Sequence, residues 1–150
     1  PNATDKKLAL ALQSKWKEVL GLDVQIEQLD QKTHMQKLHA KDYHIAITSW
    51  ISQFDDPVNI LDRYRLKETQ KNYAGWENPR YQALLELAAI ETDSQKRLAL
   101  LAEAEEIFGS ELPALPLFHW ASPVLASPRL QNIASTPCGG ILFEKFVIER

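Results

Sequence analysis

Helical and extended hydrophobic patterns alternate along the first half of this 150-residue chain, and that alternation predicts a layered α/β or α+β domain. Two further observations support the prediction. The chain is 45% hydrophobic and 25% charged, ordinary globular usage with enough apolar mass for one core but not two. It also holds two steps, Asp56-Pro57 and Asn78-Pro79, in which a capping side chain precedes a proline suited to the first turn of a helix.

The elements follow in order. Thr4 is a good N-cap, and Leu8, Leu12, Trp16, Val19 and Leu20 recur near helical spacing until Gly21 supplies a stop. Leu22 to Glu27 alternates apolar and polar residues, the pattern of a half-buried strand. Residues 31–40 form a weaker helical pattern resting on Met35 and Leu38, and Tyr43 to Trp50 has strand character. A polar loop is expected over 65–77, between the helices opened at Pro57 and Pro79. From Pro79 to Ile90 the stripe is Leu84, Leu87, Ala88 and Ile90; Asp93 caps a further helix with Leu98, Leu101, Ala104, Ile107 and Phe108. Leu112 to Trp120, Val124 to Ala126 and Leu142 to Ile148 are the remaining strand candidates. A single domain accounts for all of them.

Several classes of function find no support. With 17 basic against 20 acidic residues, the net charge of −3 offers no attraction to a phosphate backbone, so no nucleic-acid partner is expected. Cys138 is the single cysteine, which precludes an internal disulfide and any Cys-x-x-Cys metal or redox pair. No apolar run approaches the roughly 20 residues of a membrane span. The start, Pro1-Asn2-Ala3-Thr4, has no initiator methionine and no signal peptide; any export signal would lie upstream, and its absence here proves nothing. His34, His39 and His44 are spaced by fives and do not share a helix face, which argues against a metal site; no cofactor is expected. There is no Gly-x-Ser-x-Gly elbow, His-Glu-x-x-His or phosphate-binding glycine loop. Asp55-Asp56 invites an acid–base reading, but Asp56 directly before Pro57 has a capping role that explains both neighbours. Trp16 and Trp120 are expected in the core or at its edge.

Trp50 stands apart. It ends an apolar strand pattern and opens Trp50-Ile51-Ser52-Gln53-Phe54-Asp55-Asp56-Pro57. Open α/β sheets place ligands where a strand end meets a loop and a helix N-terminus, so an indole at this position is a candidate ligand contact.

Four segments, taken in order, resemble the C-terminal portion of oligopeptide- and dipeptide-binding proteins, solute-binding family 5. They are Leu8 to Lys17 with Leu20 to Val24; Asp42-Tyr43-His44-Ile45 leading to Ser49-Trp50 and Asp56-Pro57; Asn72-Tyr73 with Asn78-Pro79-Arg80-Tyr81; and Arg97 to Glu105 with Leu112 to Leu117. The resemblance implies a type II periplasmic-binding-protein-like lobe, a mixed sheet packed with helices, closing on a second lobe over the ligand. It implies that residues 1–150 are mainly the C-terminal lobe, with about 121–150 a tail that crosses to the N-terminal lobe. Family members hold extended peptides by the main chain while pockets accept varied side chains. Carried across by position, Trp50 matches the tryptophan of the peptide-contacting segment. Gln53 stands where many members have an aspartate for the ligand ammonium, Ile47 where some have a basic residue for its carboxylate, and Asp5 where one branch has a histidine.

The function so implied is non-enzymatic: capture of a peptide or peptide-like solute outside the cytoplasmic membrane, periplasmic or membrane-anchored, for delivery to ABC permease subunits. Trp50, Ser52, Gln53 and Asp55 are the expected cleft residues. Two rivals come from other classes: a protein-interaction module built on the helical hairpin 79–109, and a hydrolase using Asp55 or Asp56.

Overall fold

A first helix, α1, runs from Ala3 to Leu20, so Thr4 lies inside its first turn rather than capping it. The computed structural model describes residues 3–121, 123–136 and 138–149. It divides into two compact units, Pro1–Ser49 and Trp50–Arg150. In the first unit α1 stops where expected, because Gly21 takes the left-handed conformation at φ +68°. Its N–H donates to the Lys17 carbonyl and that of Leu22 to the Trp16 carbonyl, both at 3.2 Å. The chain then returns along α1, with Gln13 Nε2 donating to the Val24 carbonyl at 2.6 Å. Helix α2, Gln31–Ala40, matches the weaker helical pattern. The sequence reading did not name its cap: Asp30 accepts from the Thr33 N–H at 3.0 Å and the Thr33 hydroxyl at 2.6 Å. Those bonds, the hydroxyl first, hold the Asp30 carboxyl below its ordinary range. Leu38 is the buried anchor of this helix.

In the second unit Asp56-Pro57 opens α3, Val58–Leu61, only one turn, followed by a 3₁₀ turn over Asp62–Tyr64. Helix α4, Pro79–Ile90, begins at the expected cap: Asn78 Oδ1 accepts from the N–H groups of Arg80 and Tyr81 at 2.9 and 3.1 Å. Helix α5, Ser94–Glu111, begins at Asp93, which accepts from Gln95 and Lys96. The two form an antiparallel hairpin over the unit's core: Leu61, Tyr64, Tyr81, Leu84, Leu85, Ala88, Leu101 and Ala104. The buried face of α4 is rotated from the expected stripe. Tyr81 and Leu85 are inside, whereas Leu87 and Ile90 are exposed. Tyr81 explains the shift, because its ring packs against Trp76 and Phe108 with centroids 5.0 and 6.5 Å away. Leu98 of α5 is likewise exposed.

Most expected strands form no ladder. Leu22–Glu27, Tyr43–Trp50, Leu112–Trp120 and Val124–Ala126 carry no strand assignment among the described residues. The sheet described consists of β1, Leu130–Gln131, and β2, Val147–Ile148, antiparallel with Leu130 opposite Ile148. The expected strand 142–148 shortens to β2 because Phe143–Lys145 turns as a 3₁₀ segment. Alternation fixes which face of a segment is apolar, but a strand exists only when another backbone completes its hydrogen bonds. Trp120 is half exposed and packs edge-on against Phe118 at 5.5 Å, not in the core.

Candidate functional site

The Trp50–Pro57 segment is held from its helical side. Trp50 Nε1 donates to Asn59 Oδ1 at 2.9 Å, and the Ser52 hydroxyl donates to the same oxygen at 3.1 Å. Asn59, nine-tenths buried in α3, thereby ties two of the expected cleft residues to one acceptor. Gln53 and Asp55, by contrast, are exposed and lie outside this pair of hydrogen bonds. The four expected residues thus divide into two that are anchored and two that are presented to solvent.

Asp56 ends the segment in a structural role. Its Oδ1 accepts from the Val58 N–H at 2.9 Å, and its carboxylate takes a two-pronged pair from Arg97, Nη1 to Oδ2 at 2.8 Å and Nη2 to Oδ1 at 3.0 Å. The fork matches guanidinium to carboxylate geometry. Arg97's hydrogen bonds are the main reason the Asp56 carboxyl sits below its ordinary range, and they raise the Arg97 guanidinium in return. A carboxylate so committed accepts hydrogen bonds and is poorly placed to take a proton at neutral pH.

The Trp50 ring meets two cations. The Arg63 guanidinium carbon lies 4.8 Å from its centroid and 4.7 Å from that of Tyr73, and Lys71 Nζ lies 4.8 Å from the Trp50 centroid. These are cation–π distances. Arg63 Nε also donates to the Lys71 carbonyl at 2.6 Å, which fixes the two basic residues together. Asn72, 1% exposed, shapes the loop that carries Lys71 by donating to the carbonyls of Leu66 and Trp76 at 3.0 and 2.7 Å. At the far side of the loop, Trp76 Nε1 and Asn78 Nδ2 both donate to the Glu111 carboxylate at 2.6 Å. The sequence reading missed Asn59, Arg63 and Lys71. Arg63 carries the one available signal, a basic residue between Leu61 and Tyr64 in a turn that also holds Asp62.

Comparison with known proteins places the chain in a family. Residues 1–72 match the model of the bacterial extracellular solute-binding proteins, family 5 Middle. The chain is 36% identical to the oligopeptide-binding protein OppA of Bacillus subtilis over 137 residues, 91% of this chain and 25% of that protein. It is 31% identical to the periplasmic oligopeptide-binding protein OppA of Haemophilus influenzae, over 87% of this chain and 24% of that one. The crystal structure of Haemophilus influenzae OppA in complex with RPPGFSPFR superposes with a TM-score of 0.84 at 27% identity, covering 100% of this chain and 30% of that one. The periplasmic murein tripeptide-binding protein MppA in its unliganded open form gives 0.71 at 26%, over 75% of this chain and 22% of that one. The chain thus spans about a quarter of the length of the curated relatives it matches. The expected fold class, an α/β lobe of the periplasmic-binding-protein kind, is borne out by the solved neighbours even though most of the expected strands stand unpaired here. The chain belongs to the family 5 bacterial extracellular solute-binding proteins.

Proposed function

We propose that this chain is the ligand-capturing lobe of an extracytoplasmic solute-binding protein that takes up peptides or peptide-like solutes and delivers them to the permease of an ABC importer. The observation that carries the reading is the likeness, over the whole chain, to a family member solved with a bound peptide. The Trp50–Asp55 segment supports it: Trp50 and Ser52 are fixed by Asn59 while Gln53 and Asp55 face solvent, an arrangement able to present polar groups to a ligand main chain. Residues 1–150 then serve as the C-terminal lobe, with 121–150 passing to an N-terminal lobe that supplies the opposite wall. Segments 22–27 and 43–50 find their strand partners in the rest of that longer protein. The action is closure of two lobes around the solute, with no bond chemistry. The commitment of Asp56 to Arg97 and to the Val58 N–H supports a non-catalytic role over a hydrolase.

Gln53 accepts a hydrogen bond from a ligand ammonium without neutralising it, and charge-assisted bonds are about twice as strong as neutral ones. The test is isothermal titration of the protein that contains this chain with a mixed peptide library, repeated with Trp50→Ala and Gln53→Asp. Saturable heat lost with Trp50→Ala, and a tighter grip on free amino termini with Gln53→Asp, are expected. No heat with any peptide overturns the peptide reading. A second reading, docking of a protein on the hairpin, draws on exposed Leu87, Ile90 and Leu98. Solute binding that survives Leu87→Glu and Ile90→Glu separates that surface from capture.

A further inference from the structure

Helix α3 is a single turn, Val58–Leu61, too short to persist by its own hydrogen bonds. Both of its ends are held instead by the α4–α5 hairpin. At the C-terminal end the hydroxyl of Tyr81, from α4, donates to the Leu61 carbonyl at 2.7 Å. At the N-terminal end Arg97, from α5, grips the Asp56 carboxylate with both Nη atoms, at 2.8 and 3.0 Å, while Asp56 Oδ1 accepts from the Val58 N–H. The Asn59 N–H, donating to the Asp56 carbonyl at 3.0 Å, closes the turn. Asn59 is thus carried on a piece of backbone that the hairpin fixes from two sides.

The segment ahead of α3 has little packing of its own. Ile51, Gln53, Phe54 and Asp55 are exposed, Ile51 and Phe54 to 77% and 49%. Backbone with so few buried apolar contacts opens easily unless polar ties restrain it. Two such ties are present. At the leading end Asn59 Oδ1 accepts from Trp50 Nε1 and from the Ser52 hydroxyl, so the two acceptor sites of one amide oxygen serve one segment. At the trailing end the Asp56 N–H donates to the Phe54 carbonyl at 3.1 Å, and Asp56 is itself locked by Arg97. The course of Trp50–Asp55 is therefore dictated from the hairpin, through Asn59 at one end and Asp56 at the other.

We propose that Asn59 and Arg97 are positioning residues for solute capture: neither meets the solute, and together they hold the Trp50–Asp55 segment in its binding geometry, Asn59 through the Trp50 indole and the Ser52 hydroxyl, Arg97 through Asp56. This rests on the capture reading above and extends it from the residues that face the solute to the two that place them. Order built in beforehand is not lost again on binding, so affinity depends on side chains that lie outside contact. The α4–α5 hairpin then serves as the frame of this wall of the cleft.

The experiment uses the protein that contains this chain, labelled with 5-fluorotryptophan, and a mixed tripeptide library titrated calorimetrically. The variants are Asn59→Leu, which removes the acceptor at similar volume, Asn59→Asp, which keeps it, and Arg97→Gln, which releases the fork. Circular dichroism verifies their folds, and the Trp50 fluorine resonance is identified by its loss in Trp50→Phe. Asn59→Leu and Arg97→Gln should each weaken binding roughly tenfold, the scale for two side chains that binding must then immobilise. Asn59→Asp should restore affinity, because its carboxylate accepts the same two hydrogen bonds. Asn59→Leu should also shift and broaden the Trp50 resonance before any peptide is added, whereas Asn59→Asp keeps it sharp. Lost stability alone changes neither the affinity nor the Trp50 resonance of the folded fraction. If Asn59→Leu binds as tightly as the unsubstituted protein with its Trp50 resonance in place, or if Asn59→Asp and Asn59→Leu weaken binding alike, the positioning role is refuted while capture stands. Arg97, with a side chain 27% exposed, tolerates substitution even if Asn59→Leu does not fold, and undiminished affinity in Arg97→Gln refutes the proposal by itself. If no peptide binds the unsubstituted protein, the capture reading falls and the positioning role with it.

Discussion

Tyr81→Phe isolates one buried hydrogen bond in the second unit, between the Tyr81 hydroxyl and the Leu61 carbonyl at 2.7 Å. Tyr81 is 0% exposed, and phenylalanine preserves the ring contacts with Trp76 and Phe108. The substitution removes the donor alone and leaves the carbonyl at the end of α3 without it, where water has poor access. The expected cost is about 1–3 kcal/mol, the range for a buried partner left unsatisfied. With a urea slope of about 2 kcal/mol per molar, the unfolding midpoint falls by roughly 0.5–1.5 M. Tyr64→Phe is the internal control. Its ring shares the same core, 4.7 Å from Phe108, but its hydroxyl is not among the buried groups that need a partner, so it changes stability by less than about 0.5 kcal/mol. The assay is urea unfolding followed by far-ultraviolet circular dichroism, with the slope checked for constancy. Equal midpoints for the two variants would refute the assignment of the Tyr81–Leu61 bond as a stabilising contact.

Two further predictions concern the candidate site. Asp56 has a folded pKa below its ordinary 3.8, chiefly through Arg97, so its stabilisation is present above about pH 4 and is lost as pH falls through the depressed value. Thermal melts of the unsubstituted protein and Arg97→Gln, from about pH 7 down to pH 2, should therefore converge at the acid end; a gap that stays constant across that range would contradict the linkage. Asn72→Ala frees the carbonyls of Leu66 and Trp76 and should cost about 2–3 kcal/mol, with early protease cleavage within residues 65–77; unchanged cleavage would show that the loop does not depend on this side chain.

The elements legible in the sequence were those set by residues a few positions apart. Asn78 before Pro79 located the start of α4 because the cap and the proline act on the very backbone groups beside them. Gly21 ended α1 for the same kind of reason, a left-handed turn that its missing side chain permits. Asp30 obeys that logic too, but no proline follows it to mark the start of the helix it opens. Which residues of α4 face inward was less legible: periodicity allowed a stripe through Leu87 and Ile90, and the aromatic cluster of Tyr81, Trp76 and Phe108 selected a different one. The segment of the candidate site was visible from Trp50 to Pro57, but its partners were not.

By itself, then, the sequence determined the helices, the caps at Asn78 and Asp93, the polar loop and, through an ordered set of matching segments, the family. Tertiary structure alone decided the strands and the cation pair. Segments 22–27 and 43–50 carry the alternation of strands, but backbone pairing is a property of two segments, and no pattern within one names the other. Arg63, Lys71 and Trp50 come from a 3₁₀ turn, a loop and the chain ahead of α3, at separations that no helical or strand period relates. Their meeting on one indole depends on Asn59 and Asn72 holding distant backbone in place, a long-range constraint that becomes visible only when the chain is folded.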